Sequence, residues 1–594
     1  DIFRLLEKDR SLYPAPNTGE LSAAIGTGAT SFTLSPTGIG DEEYPASFRC
    51  IIGDEGFDVT RSSDTCTITQ RGLYKGLDDH EADDTVQIVG QLGPAQANQI
   101  AETIITTAQP DLSVWIPSSE WQAEADQYLP RLYSSDIVKP TGVNELLKQL
   151  MDSAPVMFWP NPKLRRIEMR AIKGPSPGVK TLTDRDHYKN LEKKDRPKDR
   201  LDAALVWFGL IEVTGDRDQK ANYLQGVFNP SGTNYNSTQV REVFAPFISE
   251  NNKAAANEMA DLLVSRYKET PGTLRFELDA KHSDIWTGTV YQSNSEKEQD
   301  KTGANKLRNY LVVEAHETEP GHRIEYEAES YDWWIDETND TDVAAVIISS
   351  NSLNINLRDV YDSLYANVRD NIEFIIESGV VVGSASTAQY SFESGDWPEA
   401  PSILVKNSGI IGGKPGNGGK GGSFSCAGSG TAYDGDQGED GGSAINITYP
   451  LEFDNTNGVI AAGPGGGGGG AALKYDNWVS SPIGETGGGG GGGRGYDTGQ
   501  GGDAGSDTSC SYTSNGQDGQ DGTIDAPGDG GLGSSISSQN GGKGGEGGDW
   551  AQDGQAGQST SDASGGLGGA AGIAINGMAN ITWIDMGTIH GTTQ

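Results

Sequence analysis

The sequence predicts a multidomain, mainly β protein with α+β domains in its middle and a C-terminal lattice of glycine-rich, polyproline-II-type helices framed by short β-strands. Three observations predict this fold class: short alternating apolar runs in the N-terminal part, glycines that recur every third residue near the C-terminus, and a strand motif repeated around those glycines. At 594 residues the chain is long enough to form several separate cores.

The glycine spacing is the first of these observations. Glycine recurs every three residues at positions 413, 416, 419 and 422, and again in the triplets from 541 to 549. This spacing matches the three-residue turn of a polyproline II helix, and helices without side chains can pack closely enough to satisfy each other's backbone groups. Bulky residues such as Trp550 interrupt the tracts, whereas a solvated linker would not need them. We therefore predict packed helices in this region.

An internal repeat frames the glycine tracts. Residues 403–412 (ILVKNSGIIG), 451–463 (LEFDNTNGVIAAG) and 581–591 (ITWIDMGTIHG) each give a strand, a polar bend, a glycine, aliphatic residues and a second glycine. Because the first copy opens the region and the last lies near its end, the repeat predicts strands that frame the lattice and bring its ends together.

The charge and hydropathy patterns exclude several classes of protein. A net charge of -40 and a pI near 4.4 argue against nucleic-acid binding. No apolar run approaches the roughly 18 residues of a membrane helix, and residues 1–10 lack the pattern of a signal peptide. We expect a soluble protein without nucleic-acid specificity.

The four cysteines leave their redox state open. They form no CxxC pair, which gives poor support to zinc or thioredoxin chemistry. Cys50 could pair with Cys66 across a hairpin, and Cys426 with Cys510 between two glycine loops, while four buried free thiols fit the spacing equally well.

Residues 1–110 are predicted to form a small β module with a flanking helix, because short alternating runs fill residues 30–89. The runs 52–55, 67–72 and 85–89, together with His80, resemble a module that recurs in tail proteins of long-tailed bacteriophages. Arg71 and His80 could be read as a catalytic pair, but we favour hydrogen bonding across a hairpin.

Residues 111–335 are predicted to form α+β and β-barrel domains. The clearest helix covers residues 252–268, strands follow between 273 and 331, and LSVWIP at 112–117 reads as a strand. This order of elements resembles the baseplate-hub or tail-tip hub family of phages. The resemblance implies a trimer that caps the tail tube and contacts other tail-tip proteins.

Residues 336–400 are predicted to be a β connector and residues 401–594 the glycine-rich tip. The stretch 372–383 and the entry at 407–412 resemble the connector of phage central fibres and tail-tip proteins. The tip itself resembles the polyglycine-helix adhesins at the fibre ends of T-even-like phages. That resemblance implies loops that bind an outer-membrane protein or a surface glycan of the host.

Recognition is predicted to fall to the segments that interrupt the tracts, because only these can project side chains. Packing on the flank of the lattice or between protomers is the alternative for each aromatic residue, and it is the expectation for Tyr449 and Trp583. The predicted receptor-binding residues are Phe424, Tyr433, Tyr475, Trp478, Arg494, Tyr496, Tyr512 and Trp550.

Enzymatic signatures fail on spacing. His316 and His322 are too far apart for a helical zinc site, and residues 409–414 lack one residue of a phosphate loop and precede Pro415. We predict no catalytic residues, metal or cofactor.

The predicted function is that of a structural protein of a virion tail tip, which acts outside the host cell and binds its receptor. Two alternatives remain: a secreted or cell-surface bacterial adhesin, and a tail enzyme that degrades surface glycan.

Overall fold

A computed structural model describes residues 11–39, 43–175, 179–231, 239–268, 270–299, 302–331, 343–427, 430–475, 483–495, 498–508, 515–536 and 539–594. The chain divides into two compact units. Unit 1 comprises residues 1–342 and 364–367, and unit 2 comprises residues 343–363 and 368–594. Among the described helices, none has the length and apolar character needed to cross a membrane.

Unit 1 begins with an antiparallel six-stranded sheet whose strands bury apolar side chains in one core. In strand Ser31–Ser35, for example, Phe32 and Leu34 face the core. The strand order is Glu20–Leu21, Ser31–Ser35, Thr65–Arg71, Glu55–Ser62, Ser47–Ile52 and Val86–Ile88.

Cys50 and Cys66 lie in this core as free, buried thiols, so of the two alternatives left open for this pair the free thiols hold. Burial raises the pKa of both thiols, that of Cys66 to about 11. They act as small apolar core residues.

Arg71 and His80 do not bind each other but share a third residue, Glu55, which is fully buried. Arg71 donates Nε and Nη2 to the two carboxylate oxygens at 2.8 and 2.9 Å, and His80 Nε2 lies 2.9 Å from Oε2. Burial alone would raise the pKa of the Glu55 carboxyl, but hydrogen bonds from Arg71, His80 and the backbone N–H of Asp78 lower it to about 2. The cluster therefore ties three segments of the module together.

Replacing Glu55 by glutamine is expected to destabilise this module by roughly 3 kcal/mol, because the buried Arg71 charge loses its partner. The folded pKa lies below the ordinary value of 4.5, so the stabilisation is complete above about pH 4.5 and is lost as the pH falls toward 2. Hydrogen–deuterium exchange of strand Glu55–Ser62 measures this effect. Asp54→Asn is the control, since the side chain of Asp54 is about half exposed, and equal protection in both variants would contradict the prediction.

The rest of unit 1 combines helices with small sheets. Helix α1 (Ala97–Ala108), helix α2 (Ser118–Tyr128) and helix α3 (Val143–Ser153) share one core with helix α4 (Lys253–Tyr267). The Asn252 side chain caps α4 by accepting a hydrogen bond from Ala255 N at 3.3 Å. The predicted helix at 252–268 is therefore confirmed, whereas LSVWIP belongs mainly to the 3-10 helix Pro110–Trp115, because Pro110 starts a helical turn there.

Five further sheets complete the described part of unit 1. Four are small: Leu12–Tyr13 with Thr141–Gly142; Gly90–Ala95 with Tyr133–Ile137; Val156–Asn161 with Arg166–Ala171; and Tyr223–Pro230, Ala203–Leu210 and Val240–Phe244. The fifth has six strands, in the order Thr181–Thr183, Val290–Asn294, Arg308–Glu319, Arg323–Ser330, Gly272–Asp279 and Lys189–Asp195. Short 3-10 helices lie at Pro197–Asp199, Lys220–Asn222 and Ala280–His282.

Unit 2 contains a parallel β-solenoid of three five-stranded sheets, in which each coil of the chain adds one strand to every sheet. The first sheet is Val343–Ile348, Asn371–Ile376, Ser402–Asn407, Leu451–Asp454 and Ile581–Asp585. The second is Ser352–Leu353, Val381–Gly383, Ile410–Gly412, Val459–Ala461 and Thr588–His590. The third is Ile355–Asn356, Phe392–Glu393, Ile445–Asn446, Ile573–Asn576 and Thr592–Thr593.

The three copies of the sequence repeat are consecutive coils of this solenoid. Leu404 pairs with Glu452, and Glu452 pairs with Thr582 on the next coil. At the polar bends Asn407 Nδ2 donates to Asn455 Oδ1 at 2.7 Å, and the pair is buried. The prediction that these strands frame the glycine tracts is confirmed, and two earlier coils from the predicted connector continue the same stack.

Aromatic rings fill the solenoid. Phe453 packs against Phe392 and Trp583, with ring centroids 6.2 and 5.3 Å apart. Tyr449 packs near Trp397 and donates its hydroxyl to Pro401 O at 2.6 Å. Tyr449 and Trp583 thus have the structural roles expected of them. Helix α5 (Leu357–Asp362) and the 3-10 helix Met578–Asn580 lie in the connections.

The glycine tracts are two insertions into the solenoid. The first, residues 413–444, leaves the third coil after strand Ile410–Gly412, and the second, residues 462–572, leaves the fourth coil after strand Val459–Ala461. The tracts are 413–422, 435–442, 463–472, 486–493, 499–506, 516–523, 526–534, 541–548, 552–558 and 564–572.

Hydrogen bonds join the tracts with a period of three residues. Within tract 463–472, Gly466 and Gly469 donate to Glu439 and Asp436 of one neighbour. Gly467 and Gly470 donate to Gly491 and Gly488 of a second, and Gly465 and Gly468 to Gln552 and Gln555 of a third. Because carbonyls of the same tract accept from three more neighbours, this tract has a neighbour on every side.

Tracts 463–472 and 486–493, here called the central tracts, are the two that other tracts surround. A Cβ on a central glycine would strike a backbone carbonyl, for instance at 2.1 Å from Gly566 O at Gly468. Outer tracts keep a non-glycine residue on their exposed side. There, carboxylates accept backbone N–H groups, as Asp440 does from Ala570 and Asp553 from Ala571, both at 2.7 Å. The uninterrupted glycine runs of the sequence therefore mark the inside of the bundle.

Candidate functional site

The loops that join the tracts lie at two opposite ends of the bundle. At the end next to the solenoid, Gly413 bonds to Ala461 and Gly463 bonds to Gly442, whereas at the far end Gly422 bonds to Gly470 and Gly487 bonds to Gly422. The connections that leave tracts 486–493, 516–523 and 541–548 begin at the solenoid end. The connections that leave tracts 413–422, 463–472, 499–506, 526–534 and 552–558 begin at the far end, and we call them the far-end loops.

The far-end loops form a small cluster of strands. Strand Phe424–Ser425 pairs with Thr431–Ala432 and with Asp507–Thr508, while Leu473–Tyr475 pairs with Ile483–Glu485. Strand Ser535–Ile536 pairs with Gln539–Asn540. Short hairpins closed by tract ends hold this surface in place.

The predicted receptor-binding residues at the far end have different environments. Tyr433 is 52% exposed and available for contact. Phe424 is fully buried, and its ring occupies the space where a Cβ of Gly484 would lie. Phe424 therefore takes the packing alternative, because a glycine opposite it leaves room for the ring. Tyr475 ends a strand, and Trp478 and Tyr512 lie outside the described residues.

At the solenoid end the fold brings Arg494 and Trp550 together. The Arg494 guanidinium carbon lies 5.3 Å from the centroid of the Trp550 ring, and Nη1 pairs with Asp549 Oδ1 at 2.7 Å. Its Nε also donates to Ile524 O at 2.8 Å. The hydrogen bond from Arg494 lowers the pKa of the Asp549 carboxyl. Tyr496 lies outside the described residues.

Residues without aromatic side chains also shape the far end, and sequence reasoning missed them. Lys474 N donates to Asp562 Oδ2 at 3.2 Å, and Thr560 Oγ1 donates to Ala472 O at 2.6 Å. Ser534 and the buried Glu485 hydrogen-bond beside them. The sequence did show loop 559–563 between two glycine tracts. It was passed over because it contains no aromatic residue.

Cys426, beside the first far-end strand, is disulfide-bonded. The pairing partner proposed for it, Cys510, lies outside the described residues. A covalent link in this loop limits its conformations.

The histidines tested for zinc lie apart on a β-hairpin: His316 is in strand Arg308–Glu319, and His322 precedes strand Arg323–Ser330. Within the parts of the chain that the structure describes, no group of three or more His, Cys, Asp or Glu residues is placed to hold a metal ion.

A solenoid that carries a glycine-tract bundle makes up unit 2, and this is the part of the chain that matches a known family. Residues 343–594 match the family model described as phage tail fibre adhesin Gp38. This match covers less than half of the chain. It confirms the predicted phage adhesin at the C-terminus and a location in the virion tail, so we set the bacterial adhesin alternative aside.

Solved structures give further likenesses. The gp37-gp38 adhesin tip complex of the bacteriophage S16 long tail fibre is 25% identical, with 42% of this chain and 82% of that chain covered and a TM-score of 0.25. A tail protein from Neisseria meningitidis MC58 is 12% identical, with coverages of 52% and 87% and a TM-score of 0.28. The virion of a native gene transfer agent particle is 14% identical, with coverages of 37% and 46% and a TM-score of 0.26.

These TM-scores are too low to transfer a fold or a function. No curated protein matches the chain significantly.

Proposed function

We propose that the protein is a non-enzymatic component of a phage tail tip that recognises the host receptor through the far-end loops of its glycine-tract bundle. The tracts would be polyglycine II helices, as their three-residue hydrogen-bond period suggests. The receptor would be an outer-membrane protein or a surface glycan, which the exposed Tyr433 and polar loop residues suit.

The observation that carries this proposal is the separation of the two ends of the bundle. At the solenoid end the loops pack against the solenoid and against each other. A Cβ on Gly591 would lie 3.1 Å from the Ala551 Cβ, and Arg494 contacts both Asp549 and Trp550. The far end instead gathers loops from five tract connections on one surface. We therefore assign recognition to Tyr433 and a packing role to Arg494 and Trp550, while Tyr475, Trp478, Tyr496 and Tyr512 remain predictions from the sequence.

We further propose that unit 1 anchors the chain in the tail hub and that the assembled protein is a homotrimer. The order of elements in residues 112–334 and its resemblance to phage hub proteins support this role. Analytical ultracentrifugation of the full chain tests it, and a monomer at every concentration would contradict the trimer.

Competition for host cells tests the receptor proposal. Purified protein should block adsorption of the phage, and Tyr433→Ser should weaken that block by about tenfold, as expected when an exposed aromatic contact is lost. Thr498→Ser at the solenoid end is the matched control and should leave the block unchanged. If Tyr433→Ser and replacement of loop 559–563 by a Gly-Ser linker both compete like the natural protein, the far end does not bind the receptor.

A further inference from the structure

Unit 1 contains a cleft of about 600 Å³ that the adhesin function does not use. It lies between the hairpin Val156–Asn161/Arg166–Ala171 and the segment that leads into strand Val290–Asn294. Its volume falls within the range of small-molecule sites, and its lining combines two tryptophans with charged side chains.

Gly288 builds one wall of this cleft. Its φ is +84°, and a Cβ there would lie 2.1 Å from the Trp159 ring. The missing side chain lets the Trp159 ring cover the Gly288 backbone, and the Gly288 carbonyl accepts a hydrogen bond from Arg170 Nη1 at 2.8 Å. Trp159 and Arg170 are thereby fixed together.

Each of these two side chains retains a buried N–H donor that has no acceptor among the described residues. These donors are Trp159 Nε1 and Arg170 Nε. An unsatisfied buried donor costs free energy, so a ligand that supplies an acceptor would be favoured at this place.

The charged side chains that line the cleft also favour a ligand that carries negative charge. Its acidic side chains are paired: Glu124 with Lys173 at 2.6 Å, Glu168 with Arg166 at 2.9 Å, and Asp284 with Lys180 at 3.0 Å. Arg170 and Lys163 have no carboxylate within 4.0 Å in the described part of the chain. Two uncompensated cations in one cleft are unusual for a protein with a net charge of -40.

A tryptophan completes the site. Lys163 Nζ lies 5.7 Å from the centroid of the Trp286 ring, so a cation and an aromatic ring face the cleft together. Guanidinium groups favour carboxylates and phosphates, and tryptophan rings favour the apolar faces of sugars.

We propose that this cleft binds an anionic sugar, a saccharide ring that bears a carboxylate or a phosphate. Arg170 and Lys163 hold the anionic group, Trp159 donates Nε1 to a ring oxygen or hydroxyl, and Trp286 packs against the ring. This site lies in unit 1, so its existence does not depend on receptor binding by the tip.

Isothermal titration of the full chain tests the proposal, with glucuronate, glucose 6-phosphate, glucose and inorganic phosphate as probes. We expect at least one of the two anionic sugars to bind and glucose to bind at least about tenfold more weakly. Binding of only one anionic sugar identifies the charged group. Equal affinity for glucose, equal affinity for inorganic phosphate, or no heat with either anionic sugar at millimolar concentration overturns the proposal.

Variants locate the site. Arg170→Met should weaken binding by about tenfold or more, and Trp159→Phe, which keeps an aromatic ring but removes the N–H, by a smaller factor. Arg275→Met is the control, because Arg275 is exposed and lies outside the cleft. Unchanged affinity in both cleft variants, with melting curves like that of the natural protein, also overturns the proposal.

Discussion

Replacing Gly490 by valine is expected to prevent the glycine-tract bundle from folding. Gly490 lies in a central tract, and a Cβ there would be 2.0 Å from the Gly467 carbonyl oxygen and 2.6 Å from its carbonyl carbon. Both obstacles are backbone atoms of another buried tract, so no side chain can move aside. We expect a cost above about 4 kcal/mol, at the upper end for a single substitution.

Limited proteolysis with trypsin measures this effect. The natural tip should resist cleavage after Lys420 and Lys543, whereas the Gly490→Val tip should be cut there while unit 1 stays intact. Asp529→Val is the matched control, because Asp529 is exposed on an outer tract between Gly528 and Gly530. Equal resistance of both variants would show that the central tract is not packed as described.

Removing both insertions together is expected to leave the solenoid folded and to abolish adsorption. Gly413 and Gly442 lie side by side, and Gly572 N donates to Gly463 O at 2.9 Å, so the two ends of each insertion are close in space. Deleting residues 414–441 and 464–571, with an Asn-Gly turn at each junction, therefore keeps every solenoid strand. Adsorption of the particle should fall by more than about tenfold, because the far-end loops are gone.

Deleting residues 414–441 alone is the informative comparison. Tracts 413–422 and 435–442 cover tract 463–472 through a series of backbone hydrogen bonds. Their loss would leave buried N–H and C=O groups of the central tracts without partners. We expect this single deletion to melt at a lower temperature in circular dichroism than the double deletion, and the opposite order would contradict the arrangement of the two insertions.

The glycine bundle could be anticipated from sequence because its signals are local. A period of three is visible within ten residues, and the repeat at 403–412, 451–463 and 581–591 is short enough to align by eye. The solenoid was harder to see because many of its strands are only two or three residues long. In addition, the insertion 462–572 separates two strands of one coil, Val459–Ala461 and Ile573–Asn576.

The individual contacts could not be predicted in this way. Arg494 and Asp549 meet only because tracts 486–493 and 541–548 run side by side, and the sequence does not reveal this contact between residues 55 positions apart. Phe424 has the same loop setting as Tyr433, and its burial depends on the glycine at position 484 of another loop. The sequence shows that residue 55 is acidic but not that it binds Arg71 and His80, because these two partners come from different parts of the chain.

The hydrogen-bond period of the tracts also has a consequence for how this tip can change over evolutionary time. Each step of three residues returns the chain to the same neighbour, as Gly467 and Gly470 show by binding Gly491 and Gly488. Inserting or deleting one or two residues in a tract would turn side chains from the surface toward a neighbouring backbone. Insertions and deletions within the tracts are therefore confined to multiples of three residues, whereas the far-end loops are free to vary in both length and sequence.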